Sequence, residues 1–251
     1  MLVAERYEKI VQLVMDRGSI RVSELSELCE VTEETIRRDL DRLEQAGRLR
    51  RSHGGAVSVK EQQEIPYTER EVIRAEEKKR IARAAIKLIA PKERILLDAS
   101  STAWYMASSV PDIPLTVLTN SIKVSTELSH KEKIEVISTG GILAQRSLSF
   151  VGPLAERSLD AYHVDKVFLS CKGVHLERGI SESNELQARV KSKMIGMADE
   201  VILLVDSSKF GMQAFTHVAE LSQVHTVITD RRLPEAVASE LRERSIKVHM
   251  V

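Results

Sequence analysis

Two adjacent arginines, Arg37 and Arg38, and a second basic run at Arg50, Arg51 and His53 are spaced to grip a polyanion. A guanidinium matches the O6/N7 edge of guanine with two parallel donors, so Arg37 or Arg38 is expected to read a base. Thr35 could meet a base or a phosphate, while Arg50, Arg51 and His53 should mostly hold phosphates. From Ile36 to Lys60 there are seven basic residues against three acids, on a chain whose formal net charge is +0. Local excess with overall neutrality suits a site-specific binder better than a nonspecific coat. Alone, the arginine pair would sooner fit a solvated helix face; the capped turn and the basic wing reverse that reading.

A second set of chemical groups follows in short polar stretches: Asp98, Ser100, Ser101 and Thr102; Thr119, Asn120 and Ser121; Gly140 and Gly141; Lys172 and Gly173; and Lys209. Hydroxyls, close-approach glycines and lysines in such loops suit a small anionic ligand. Asp98, Asp165, Glu182, Lys172 and Lys209 could also do acid–base work, which keeps an enzyme as an alternative. A scaffold that only oligomerises the heads is a third reading. None of the histidines pairs with a cysteine or histidine at zinc spacing, and neither a GxGxxG fingerprint nor a P-loop occurs. No metal or cofactor is expected.

The elements that must hold the first set are legible locally. Thr32 is a good N-cap, followed by acids Glu33 and Glu34 in the first turn. Ile36, Leu40 and Leu43 form one apolar stripe, and Gly47 stands where a helix stops. The stripe turns Glu34, Thr35, Arg37 and Arg38 to other faces, and Thr32 and Glu34 join them at the helix start. Beyond the stop, Gly54-Gly55 is a plausible tight turn between two basic strands. Tyr7, Ile10, Val11 and Val14 space out as an earlier helix, and Ser23 is placed to cap another after a short strand at Ser19 to Val22. Three short helices and a basic hairpin make a winged helix-turn-helix, with the helix from Thr32 in the major groove.

Residues 59–74 are polar and carry Pro66, so they read as a linker between a head at 1–58 and a second domain at 75–251. There the chain alternates short apolar runs with helical ones: Ile95–Leu97, Leu115–Leu118, Ile134–Ile137, Val164–Leu169, Val201–Val205, Thr226–Ile228 and Ile246–Val248 as strands. Such alternation marks an α/β fold with a mainly parallel sheet covered on both faces. In these sheets ligands sit at the carboxyl ends of the strands, where the polar stretches fall.

The run TIRRDLDRLEQAGRLRRSHGGA resembles the N-terminal signature of the DeoR family of bacterial transcription regulators. DASST, TNS, STGG, the stretch from Lys191 to Met194 and VDSSKFG are similar to that family's strand-end motifs, so the likeness spans nearly the whole chain. The family usually has Gly where this chain has Ser100. The resemblance implies an effector domain sharing its fold with ribose-5-phosphate isomerase, a phosphorylated sugar as ligand, and no enzymatic activity; with that fold, the enzyme alternative becomes a sugar-phosphate isomerase-like enzyme with an appended DNA-binding head. It also implies a regulator, expected to be a repressor of a sugar-catabolism operon, with operator DNA, the effector and further copies of itself as partners. Dimer and tetramer both remain open.

The 251 residues suffice for two domains, and 43% hydrophobic with 29% charged is ordinary globular composition. Apolar runs are too short for a membrane span. Glu5, Arg6, Glu8 and Lys9 near the start argue against a signal peptide. Cys29 and Cys171 lie in different domains and read as reduced thiols of a cytoplasmic protein.

Overall fold

The computed structural model describes residues 3–17, 19–52, 54–57 and 65–251. It divides into two compact units, Met1–Glu64 and Ile65–Val251.

In the first unit, α1 (Val3–Arg17), β1 (Ser19–Arg21), α2 (Val22–Cys29) and α3 (Glu33–Gln45) precede a hairpin of β2 (Arg50–Ser52) and β3 (Gly55–Val57). The apolar stripes of the helices meet in one core that includes Ile10, Val14, Leu25, Ile36, Leu40, Leu43 and Leu49. Strand β3 lies between β1 and β2, so the wing is anchored to the helical body. The structure corrects two local expectations. Helix α2 starts at Val22 behind Arg21 and has no side-chain cap, so Ser23 is inside the helix. Ser52 pairs with Gly55, so Gly55 is a strand residue and the turn lies between them. A Cβ on Gly55 would stand 2.2 Å from the Ile20 carbonyl oxygen, so this glycine serves strand contact.

The second unit opens with α4 (Tyr67–Val72) and α5 (Ala75–Ile86). Then come β4 (Arg94–Leu97), α6 (Ser101–Ser109), β5 (Leu115–Thr119), α7 (Ile122–Leu128) and β6 (Ile134–Ser138). A small hairpin, β7 (Ile142–Ala144) and β8 (Ser149–Val151), leads to α8 (Pro153–Leu159) and β9 (Val164–Leu169). Next are β10 (Gly173–His175), β11 (Gly179–Glu182), α9 (Glu185–Gly196) and β12 (Ala198–Leu204). The chain closes with β13 (Thr216–Ala219), β14 (Thr226–Thr229), α10 (Glu235–Glu243) and β15 (Lys247–Met250).

All seven apolar runs expected as strands join one sheet in the order β15-β14-β12-β9-β4-β5-β6. Every neighbouring pair in it is parallel. Successive side chains point to opposite faces. Ile95 and Leu97 therefore pack in the core under α5 and α6, while Leu96 joins the core under α8, α9 and α10. From β4 the order runs through β5 to β6 on one side and through β9 outward on the other. The strand order thus reverses between β4 and β9, and a crevice opens at their carboxyl ends, the usual ligand position in such sheets.

The antiparallel sheet β10-β11-β13 and the β7–β8 hairpin are additions that the apolar pattern did not announce. Tyr67–Val72, inside the stretch read as linker, is a helix whose Tyr67 is buried.

Candidate nucleic-acid interface and sensor site

Thr32 caps α3 as its type requires. Its Oγ1 accepts from the Thr35 N–H at 3.3 Å and lies 2.9 Å from the Thr35 hydroxyl. Gly47 has φ +68°, the left-handed turn that ends the helix. With Ile36, Leu40 and Leu43 buried, Thr32, Glu34, Arg37 and Arg38 are exposed on the outward face. Arg37 pairs with Glu33 at 2.6 Å and Arg38 with Glu34 at 3.3 Å, both one turn apart. Exposed pairs of this kind are worth about 0.3–0.5 kcal/mol, little enough for a phosphate or a base to displace the glutamate.

The wing is braced likewise. Arg51 pairs with Asp41, and its N–H donates to Glu44 Oε1 at 2.8 Å. Arg48, before β2, makes two bonds to the Glu8 carboxylate at 2.7 and 2.8 Å. Arg50 is exposed on β2, and His53 lies outside the described residues. Beneath this surface the Arg6 guanidinium and the buried Asp39 carboxylate form a two-bond pair at 2.6 and 3.2 Å, joining α1 to α3. Asp39 occupies the core face of α3 among apolar residues, a polar position that the helical stripe alone does not reveal.

In the second unit the strand-end residues gather as the topology demands, in two groups. One set of hydroxyls is spent on structure. Ser100 caps α6 by accepting from the Ala103 N–H at 3.1 Å, and Ser121 caps α7 through Val124 at 3.2 Å. The Thr119 hydroxyl donates to the Leu97 carbonyl at 2.7 Å. Ser100 has φ −82°, so a side chain is accommodated there without strain. Gly141 and Gly173 are packing glycines: a Cβ would stand 2.8 Å from the Val151 oxygen in one case and 2.5 Å from the Met212 oxygen in the other. Gly140, with φ +59°, faces open space. The Lys172 N–H is held by the Ser181 carbonyl at 3.0 Å.

The other group surrounds the strand-order reversal. Asp98 is fully buried after β4, and its carboxylate accepts from the Ser100 and Ser170 N–H groups at 3.1 and 3.0 Å. Lys191 comes from α9, with Nζ 3.1 Å from Asp98 Oδ2, 2.5 Å from Glu182 Oε1 and 2.5 Å from the Ser170 carbonyl. Burial alone would push this ammonium down; Glu182 and Asp98 outweigh it and hold the pKa above its ordinary value. Burial pushes the neighbouring Cys171 thiol up to about 12, so it stays protonated and inert. Asn120 is buried with Oδ1 unpartnered, its Nδ2 donating to Phe150 at 3.0 Å. Ser101, Thr102 and the 3₁₀ turn bearing Lys209 complete this edge.

Lys191 lies in a stretch that carries the family resemblance, but its role is not legible there: in mid-helix, nine residues past the end of β11, a lysine looks like a solvated residue. Asp165, by contrast, sits at the amino-terminal start of β9, where it takes the Arg94 N–H at 2.7 Å and its guanidinium at 2.8 Å. The Arg94 side chain and N–H hold the Asp165 carboxyl below its ordinary range. Asp165 is therefore a structural acid at the opposite end of the sheet, away from the strand ends where acid–base work was expected. Among the described residues no cluster of His, Cys, Asp and Glu could hold a metal, and no helix is long and apolar enough to cross a membrane.

A winged helix-turn-helix unit joined to a parallel α/β unit with a polar strand-end site defines a DNA-binding regulator with a sensor domain. Residues 6–62 match the DeoR-like helix-turn-helix domain and residues 73–231 the DeoR C terminal sensor domain, so this chain belongs to the DeoR family of transcription regulators. It is 56% identical to the HTH-type transcriptional regulator YulB of Bacillus subtilis, over 100% of this chain and 98% of that one. It is 40% identical to the L-fucose operon activator of Haemophilus influenzae, over 96% and 97%. The HTH-type transcriptional repressor GlcR of Bacillus subtilis is 36% identical over 98% of this chain and 95% of its own length. Among solved structures, ribose 5-phosphate isomerase A of Methanocaldococcus jannaschii matches 53% of each chain at 19% identity, with a TM-score of 0.40. Membership makes the chain a transcription regulator and removes the enzyme alternative.

Proposed function

We propose that this regulator represses a sugar-catabolism operon and that a phosphorylated sugar, bound at the carboxyl ends of β4, β5, β6 and β9, sets its hold on operator DNA. Arg37 or Arg38 reads a guanine from the exposed face of α3, while Arg50 and Arg51 hold phosphates beside it. One head offers a small interface, so a cytoplasmic homo-oligomer, dimer or tetramer, reads repeated half-sites.

The observation that carries the effector assignment is Lys191, held between Asp98 and Glu182 where the strand order reverses. Lys191 fixes Glu182, the less buried of the two carboxylates, as a rigid acceptor for a sugar hydroxyl, and the start of α6 presents N–H groups to an anion. The Ser101 and Thr102 N–H groups lie in its first turn, where a helix has no partners of its own to offer. Regulation requires that the sugar phosphate bind one arrangement of the heads better than another.

The test is isothermal titration of the full chain with a panel of pentose and hexose phosphates, then with the same sugars unphosphorylated. One phosphorylated sugar should bind, and its unphosphorylated form much more weakly. Equal binding of the two forms would remove the phosphate from the reading.

A further inference from the structure

The small hairpin after β6 leaves one side of β7 open. Phe150, on β8, turns its backbone away from β7: its N–H donates to the Asn120 carbonyl at 2.7 Å, and its carbonyl accepts from Asn120 Nδ2 at 3.0 Å. Leu143 is the cross-strand neighbour of Phe150, so it stands at a non-hydrogen-bonded position and turns its own N–H and C=O outward. Among the described residues no strand lies beyond β7. An open edge of this kind is a template for another strand.

The side chains fit that role. Ile142 is 58% and Leu143 45% exposed, two consecutive large apolar residues on the open strand. Ile142 is held over Gly152, where a Cβ would stand 3.1 Å from its Cδ1, and Leu154 just beyond is exposed as well. Folds blunt exposed strand edges with charge. The two edges of the large sheet follow that rule, with Glu135 exposed on β6 and Lys247 and His249 on β15. The edge strand of the wing, β2, carries Arg50 and Arg51. Strand β7 departs from it: from Val136 to Gln145 no residue is charged.

The missing charge selects the occupant. When a strand pairs antiparallel with its own copy about a two-fold axis, a charge at the axis faces itself. With the axis at Leu143, that residue meets the same residue of the second copy, and Ile142 meets Ala144. Arg146, the first charge beyond the strand, falls opposite Gly140, so no like charges oppose each other. The outward N–H and C=O of the two Leu143 residues then form a hydrogen-bonded pair. The hairpin is held firmly enough to present this edge. Gln187 of α9 donates to the Ser147 and Ser149 hydroxyls at 2.7 and 2.6 Å, one turn before Lys191 on the same helix.

We propose that β7 is the seam between two copies of this chain, pairing antiparallel with β7 of the second copy and removing Ile142 and Leu143 from water. The seam rests on the homo-oligomer reading and deepens it by naming the surface. Gln187 and Lys191 lie one turn apart on α9, so the helix that holds the sensor acids also holds the hairpin at the seam.

The test measures the mass of the full chain in solution by sedimentation equilibrium, as wild type, Leu143→Pro and Leu143→Asp. Proline keeps the hairpin, because the Leu143 N–H is not used within it, and removes the donor at the seam. Aspartate sets two like charges opposite each other and should weaken self-association about a hundredfold or more. Wild type should be a dimer or tetramer, and each variant should sediment at half its mass. Melting curves establish that the variants are folded. Leu143→Cys keeps the test decisive if they are not: paired Cα atoms about 5.5 Å apart lie within disulfide reach, and the native Cys29 and Cys171 are buried. Mild oxidation should link Leu143→Cys into a covalent dimer, and should not link Lys247→Cys on the far edge of the large sheet. Wild-type mass in a folded Leu143→Asp, or no cross-link in Leu143→Cys, overturns the seam and leaves the homo-oligomer reading standing. A monomeric wild type removes both.

Discussion

Lys191 Nζ lies 3.1 Å from Asp98 Oδ2 and 2.5 Å from Glu182 Oε1, so one buried ammonium fixes two carboxylates where the strand order reverses. Removing it leaves both acids buried without their counter-charge. Lys191→Met should lower the stability of the sensor unit by about 3–5 kcal/mol, the usual cost of breaking a buried ionic cluster from one side. Urea unfolding followed through Trp104 reads that loss directly. A change under about 0.5 kcal/mol would mean that the three charges are not coupled as described.

The pair Arg6–Asp39 makes the same demand on the first unit, where it joins α1 to the core face of α3. Asp39→Asn keeps the shape and removes the charge. It should abolish operator binding through loss of the α1–α3 fixture, while effector binding by calorimetry stays at the wild-type level. Loss of both activities would show that the two units do not fold independently.

Arg37→Ala and Arg38→Ala should weaken binding to the operator much more than to random DNA. Losing one bidentate base contact costs roughly 1–3 kcal/mol of discrimination. Arg51→Ala should weaken binding to both about equally and flatten the salt dependence, as a phosphate contact does. The operator can be obtained by sequencing the fragments that this protein retains from its own genome. Wild-type operator affinity in both helix variants would mean that α3 is not the reading helix.

Several of these features were legible in the sequence, and the gaps have physical causes. Continuous apolar runs placed all seven strands of the parallel sheet, because strands buried on both faces leave that signature. Thr32 and Gly47 marked the ends of α3 because capping is local chemistry. The strands β7, β8, β10, β11 and β13 are only three or four residues long, so no apolar run announced them. Polar residues were harder to place than strands. Serines and threonines in a loop look alike whether they cap a helix, as Ser100 and Ser121 do, or remain available to a ligand. Lys191 sits on a helix, and only the fold brings it to the strand ends. Tyr67 and Arg70 fell in a stretch whose polar composition resembles a linker, because α4 has too few apolar residues to show a stripe.

Lys78 gives the sensor a pH dependence of defined sign. Its ammonium is held down to about 8, below the ordinary 10.5, first by burial and then by Lys209. Between those values the unfolded chain binds more protons than the folded one, so the ligand-free protein should gain stability as pH rises from about 8 toward 10.5. Thermal melting between neutral pH and about pH 10 reads that gain, and Lys78→Met should remove it. An unchanged rise in the variant would assign it to another group.

On the proposed reading, a phosphorylated sugar controls the grip of this regulator on DNA. Fluorescence anisotropy of a labelled operator fragment, titrated with each sugar phosphate and its unphosphorylated sugar, tests it most directly. One sugar phosphate should change operator affinity by about five- to 150-fold, the range of ordinary allosteric coupling, while its unphosphorylated form has little effect. If the two forms act equally, or if no phosphorylated sugar changes the anisotropy, the claim is contradicted.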